Sequence, residues 1–228
     1  YYLNTAKEYE KLKDYRNLAL TYKNVVVIFT MQYQPKKILQ YTNKALNFIQ
    51  QLNSKSDADI LVDIYSNAAQ HYFLIGEKEN NKNLIDSSLI FADSCLKIGL
   101  RNDIKDGLAD CYYIFSHHYR LKKDLPNTIL YANKALVYKN SVQERTVFNI
   151  YLSLAQSYLE MTNYKNAQQY LDTCKRLPIS KELDCPFLVA ELEYNLYKRM
   201  GKTNEALLAL ENLTKIRQEL KDNERNKK

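Results

Sequence analysis

The residues able to do chemistry are few, and their spacing assembles none of the familiar sites. His71, His117 and His118 are the three histidines, the usual bases and metal ligands. None belongs to an H-E-x-x-H pair, and no two of the four cysteines have C-x-x-C spacing, so no metal site is expected. No serine stands in G-x-S-x-G, the turn that lifts a nucleophile into reach of its base. Gly76, Gly99, Gly107 and Gly201 are isolated, so no glycine-rich loop exists to cradle a phosphate. The carboxylates are scattered, without a pair whose spacing singles it out for acid–base work. The expectation is a protein that is not an enzyme and needs no cofactor.

The elements that would position such residues follow from composition. The chain has 228 residues, of which 46% are hydrophobic, enough for a sizeable core. Glycine and proline number only four each. Sheet proteins and α/β enzymes need many tight turns, and turns use these residues. Their scarcity predicts long helices joined by short polar turns. No apolar run approaches the roughly 18 residues that span a bilayer. The chain opens on Tyr1-Tyr2-Leu3-Asn4, without a methionine or a basic-then-apolar leader. It reads as a region cut from something longer. The net charge is +7 with both signs interspersed, and the tail from Lys215 to Lys228 supplies +3 of it.

Self-comparison shows a repeat. Ile38-Leu-Gln-Tyr-Thr-Asn-Lys-Ala-Leu46 returns 90 residues later as Thr128-Ile-Leu-Tyr-Ala-Asn-Lys-Ala-Leu136. The same offset aligns Leu18-Ala19 with Leu108-Ala109, Tyr22 with Tyr112 and Phe29 with Tyr119. Phe91-Ala-Asp-Ser-Cys-Leu96 echoes Tyr170-Leu-Asp-Thr-Cys-Lys175. Aromatics seven residues apart, two helical turns, project from one face. Small residues between them let helices approach. Pro35 and Pro126 sit where a second helix would begin, the position at which a missing N–H costs least, and Pro186 can open the fifth hairpin in the same way.

These residues resemble a tetratricopeptide repeat array. The fourth hairpin carries the pattern best, with Tyr151, Ala155, Tyr158, Tyr164 and Ala167. The second has Tyr65, Ala69, Tyr72 and Gly76, and the fifth Tyr197, Gly201 and Ala206. The first and third match through Tyr22 and Phe29, and through Tyr112 and Tyr119. The resemblance implies an all-α, right-handed α-solenoid of about five hairpins: 17–54, 58–100, 104–140, 143–178 and 184–218. Residues 1–16 would be a helix of an upstream repeat, and 219–228 a charged tail. Tyr22, Tyr65, Tyr112 and Tyr151 fall 43, 47 and 39 residues apart, longer than the family's unit of about 34. Residues Glu77 to Asn83 read as an insertion between the helices of the second hairpin. Longer repeats also keep other α-solenoids, such as HEAT arrays, open.

The cysteines admit two readings. Cys95, Cys111, Cys174 and Cys185 are either free buried thiols or two disulfides, Cys95–Cys111 and Cys174–Cys185, each joining the end of one hairpin to the start of the next. His71 and His118 fall at equivalent positions of their hairpins, which points to structure.

In the resembled family the first helix of each hairpin lines a concave binding groove. Carried over position by position, that face holds Gln70, Asp110, Tyr113, His117, Arg120, Asn149, Gln156 and Asn195, mostly hydrogen-bonding groups suited to a peptide backbone. Loss of the Tyr113 and His117 side chains is expected to weaken binding without unfolding the array. The lysine–asparagine clamp of some family members is not reproduced. The Y-x-N-K-A-L endings resemble sensor regions of Bacteroidetes-type signalling proteins, where such arrays precede a membrane helix and a histidine kinase or transcription regulator. The implied function is a protein- or peptide-binding module in signal transduction, with an extracytoplasmic placement favoured. The alternatives are a cytoplasmic peptide-responsive regulator or scaffold and, as a lesser reading, nucleic-acid binding through the basic tail, which would weaken steeply with salt.

Overall fold

A computed structural model of the chain describes residues 2–52, 55–181 and 184–225. Among them the regular structure is entirely helical: α1 (Tyr2–Leu12), α2 (Tyr15–Met31), α3 (Pro35–Ile49), α4 (Ala58–Lys78), α5 (Lys82–Arg101), α6 (Leu108–Leu121), α7 (Leu125–Val137), α8 (Glu144–Glu160), α9 (Tyr164–Arg176), α10 (Cys185–Arg199) and α11 (Thr203–Arg225). Short 3-10 turns at Lys139–Ser141 and Pro178–Lys181 precede α8 and α10. This is an all-α helical-repeat fold, as expected. Its residues fall into two compact units, described separately below. The first runs to Phe115 and includes Lys134–Val142; the second comprises Ser116–Asn133 and the residues from Gln143 onward.

One turn recurs at every join within a hairpin. After α2, α4, α6, α8 and α10 a single residue takes positive φ: Tyr33, Asn80, Lys123, Thr162 and Gly201. The next N–H then reaches back five residues, as Gln34 to the Phe29 carbonyl (3.0 Å), Asp124 to Tyr119 (2.9 Å), Asn163 to Tyr158 (2.9 Å) and Lys202 to Tyr197 (3.0 Å). This closure caps the first helix and needs a left-handed residue. Asn81 and Asn163 then cap the second helix, their side chains accepting from Leu84 and Asn166 N–H groups. Pro35 opens α3 at its first position, where its fixed φ suits the helix. Only Gly201 is a glycine at this turn. Thr162, β-branched and at φ 58, carries a strain that glycine would not. Thr162→Gly is expected to stabilise the chain by about 0.5–1 kcal/mol, the relief of strain exceeding the extra freedom given to the unfolded chain. Chemical denaturation of the two proteins measures it.

The tyrosines explain why two helices become a hairpin. Two aromatics of the first helix, seven residues apart, hold one aromatic of the second. Tyr22 and Phe29 stack on Tyr41 at 5.8 and 5.4 Å, and Tyr65 and Tyr72 meet Phe91 at 6.4 and 5.1 Å. In the second unit Tyr151 and Tyr158 stack on Tyr170 at 6.2 and 5.5 Å, and Tyr119 stacks on Tyr131 at 5.3 Å. The small residues at the crossing, Ala45, Ala92, Ala132 and Ala167, are fully buried or nearly so.

α3 packs on α4 within the first unit and α9 on α10 within the second, so these second helices also serve the next hairpin. Leu18, Leu46, Ile60 and Ile64 join α2, α3 and α4 in one cluster, and Ala6 adds α1 to it. Arg16 of α2 reaches Asp57 and Asp59 at the start of α4, at 2.8 Å each. The second unit repeats the device: Arg145 of α8 holds Asp184, before α10, by two bonds of 2.6 and 3.0 Å. The guanidinium keeps the Asp184 carboxyl below the usual range. Phe148, Leu171, Cys174, Cys185 and Leu196 form the core there.

Two boundaries differ from the sequence reading. Residues 77–83 are no inserted loop: α4 runs to Lys78 and α5 starts at Lys82, so the extra length goes into two longer helices. Much of the charged tail is helical, because α11 continues to Arg225. Gln218 bonds Asp222 at 3.0 Å and Arg225 lies near Asp222, side-chain pairs at helical spacing that support a polar helix. Residues 226–228 of that tail lie outside the described residues.

Candidate functional site

The candidate groove residues separate into two sets, one in each unit. In the first unit the face of α2 and α4 opposite the aromatic clasp is polar and tied by charge. Lys23 Nζ donates to Asp63 Oδ2 at 2.7 Å, and the Asn67 amide nitrogen donates to the Asp63 carboxylate and main-chain carbonyl at 2.9 and 2.7 Å. One turn along, Gln70 is exposed. Asp110 and Tyr113, in the first turns of α6, are half-buried.

In the second unit the last turn of α6 brings His117 and Arg120 together, with Nη2 and Nε2 2.6 Å apart. A guanidinium has only donors, so the imidazole accepts at Nε2 and its proton sits on Nδ1. Burial, and then the Arg120 charge, push His117 down to about 3. It is therefore neutral. His117 is only 7% exposed, unlike the other residues of the set. A polar residue on the first-helix face read from sequence as a contact residue; the structure places it as the buried partner of the half-buried Arg120. Its removal therefore tests packing as much as binding. On α8 and α10 the set continues with half-buried Asn149 and Gln156 and exposed Asn195.

The cysteines are four buried free thiols. Cys95 and Cys111 share one cluster and hydrogen-bond to each other, which with burial pushes Cys111 well up. Cys174 and Cys185 share another, and burial raises Cys174 to about 12. Thiols so protonated are poor nucleophiles. Among the described residues no group of His, Cys, Asp and Glu could hold a metal ion, and no helix is long and apolar enough to cross a membrane.

One feature escaped the sequence reading. Lys23, Thr42, Asn67 and His71 line a small cavity between α2, α3 and α4. The signal for it was present in the repeat: the motif Y-x-N-K-A-L has Thr42 where its copy has Ala132.

No family model matches the chain, and no curated protein matches it. Among solved structures the chain is similar to the crystal structure of BtubC (BKLC) from P. vanneervenii, with a TM-score of 0.72. The match covers 96% of this chain and 89% of that one, at 19% identity. At that identity the likeness is one of fold.

Proposed function

We propose that the chain is a non-enzymatic peptide-binding module of the tetratricopeptide type, its ligand lying along the first helices of the hairpins. The observation that carries this is a division of labour within the first helices α4 and α8. Their tyrosines are consumed in clasping the second helix, whereas the opposite face keeps amides accessible: Gln70 on α4 and Gln156 on α8, to which α10 adds the exposed Asn195. Amides donate and accept at once, which suits an extended backbone with alternating N–H and C=O groups. The repeat endings support placing the module in the sensor or interaction region of a larger bacterial signalling protein.

Selection of random peptides on the immobilised chain tests the reading. Peptides are expected to be recovered, and Gln70→Ala, Gln156→Ala or Asn195→Ala should each weaken them by about 0.5–1.5 kcal/mol per lost hydrogen bond. The melting temperature should not change, since these side chains are not in the core. Binding indifferent to all three substitutions contradicts the reading.

A further inference from the structure

The fifth hairpin carries a groove of about 200 Å³, lined by Tyr194, Lys198, Lys202, Ala206, Leu207 and Leu210. Its counterpart in the fourth hairpin is found by aligning the two positive-φ turns, Thr162 with Gly201. The groove residues then correspond to Ala155, Leu159, Asn163, Ala167, Gln168 and Leu171. In the fourth hairpin this place is filled by a helix. Ala155, Leu159, Ala167 and Leu171 are buried in one cluster with Leu192 and Leu196 of α10. Two hydrogen bonds seat the end of α10 there. Arg199 Nη1 donates to the Leu159 carbonyl at 3.3 Å, and the Tyr164 hydroxyl donates to the Arg199 carbonyl at 3.1 Å.

The fifth hairpin keeps the apolar character of this seat without the helix. Leu171 has no exposure, whereas its equivalent Leu210 is 38% exposed. Leu207 is more exposed still, and it stands where the covered hairpin has Gln168. A repeat whose outer side meets only water is expected to be polar there; this one has gained a leucine. The charge has changed too. Lys198 and Lys202 replace the uncharged Leu159 and Asn163. Among the described residues Lys198 pairs with no carboxylate, its ammonium lying 5.5 Å from the Tyr194 ring, and Lys202 meets only the exposed Glu205, at 3.8 Å. The residue of a docked helix that stands over Lys198 is the one equivalent to Arg199, three places after the second leucine. A carboxylate suits that place. A second copy of the chain does not supply this pattern. Among its exposed large apolar side chains only Val27 and Met31 stand four apart, and the residue three further on is Gln34.

We propose that this groove is the seat of an amphipathic helix from a partner protein, with two leucine-type residues four apart and a carboxylate three residues after the second. The probe is a dye-labelled peptide of residues 185–199 with Cys185→Ser, made with Arg199 unaltered and with Arg199→Glu. Fluorescence anisotropy follows its binding to the full chain. The Arg199→Glu form is expected to bind about fivefold more tightly than the other at low salt, and the difference should shrink as salt screens it. Lys198→Glu together with Lys202→Glu should reverse the order of the two peptides; both side chains are exposed, so the fold is kept. Leu207→Ser with Leu210→Ser should weaken binding roughly tenfold, through the loss of two apolar contacts. Leu208→Ser, in the separate groove with Glu193 and Tyr197, should leave it unchanged. Absence of binding, an order of affinities that the lysine exchange does not alter, or indifference to the Leu207 and Leu210 changes overturns the assignment. So does sedimentation of the unaltered chain alone as a dimer that Leu207→Ser with Leu210→Ser dissociates, because the groove would then serve a second copy.

Discussion

Phe148→Ala is expected to destabilise the second unit by about 3–5 kcal/mol, the range for removing a buried phenylalanine. The ring has no solvent exposure and is the largest fully buried side chain among the described residues. It shares one cluster with Leu152, Leu171, Cys174 and Leu196, which come from α8, α9 and α10. Its loss therefore opens a void that three helices would have to close together. A further contribution is lost at the surface of the cluster, where the Arg145 guanidinium lies 5.8 Å from the ring. Urea unfolding measures the change, with Met31→Ala as control: that side chain is 84% exposed and its loss should stay within about 0.5 kcal/mol. A Phe148→Ala effect no larger than the control's would mean that these helices do not pack through this residue.

Gly107→Ala should cost roughly 2–4 kcal/mol, from two separable sources. Gly107 precedes α6 at φ +77, where an L side chain is strained by about 1–2 kcal/mol. A Cβ there would also stand 2.7 Å from both the Cβ and Oγ of Ser66, which is 4% exposed and held on α4. Neither atom is the tip of a flexible chain, so α4 or the α5–α6 connection must shift. Ser66→Gly makes room and should recover the steric share in the double variant, leaving the backbone share. Additive losses in the two single variants would deny the contact.

How much of this was legible depended on which signal each feature left. The hairpins were visible because an aromatic pair at a seven-residue spacing clasps Tyr41, Phe91 and Tyr170, and that arrangement writes itself into the sequence of the first, second and fourth repeats. The prolines marked the start of α3 for a similar reason. Residues 77–83 misled because exposed helix ends and loops are equally polar; nothing in Glu77-Lys78-Glu79 distinguishes one from the other. His117 misled because its type says surface, while burial, and then the Arg120 charge, hold it firmly neutral in the fold. The cavity at Thr42 and His71 joins residues 29 apart on different helices, so only the fold could bring them together. The substitution of threonine for the repeat's alanine was its one trace in the sequence.

The central claim is that the first-helix faces form the binding surface. Amide chemical-shift mapping with a selected peptide at saturation tests it most directly. The predicted result is perturbation at Lys23, Asn67 and Gln70 on α2 and α4, or at Asn149, Gln156 and Asn195 on α8 and α10. Perturbation confined to the outward residues of the second helices, such as Leu130 on α7 or Leu207 and Leu208 on α11, would contradict it.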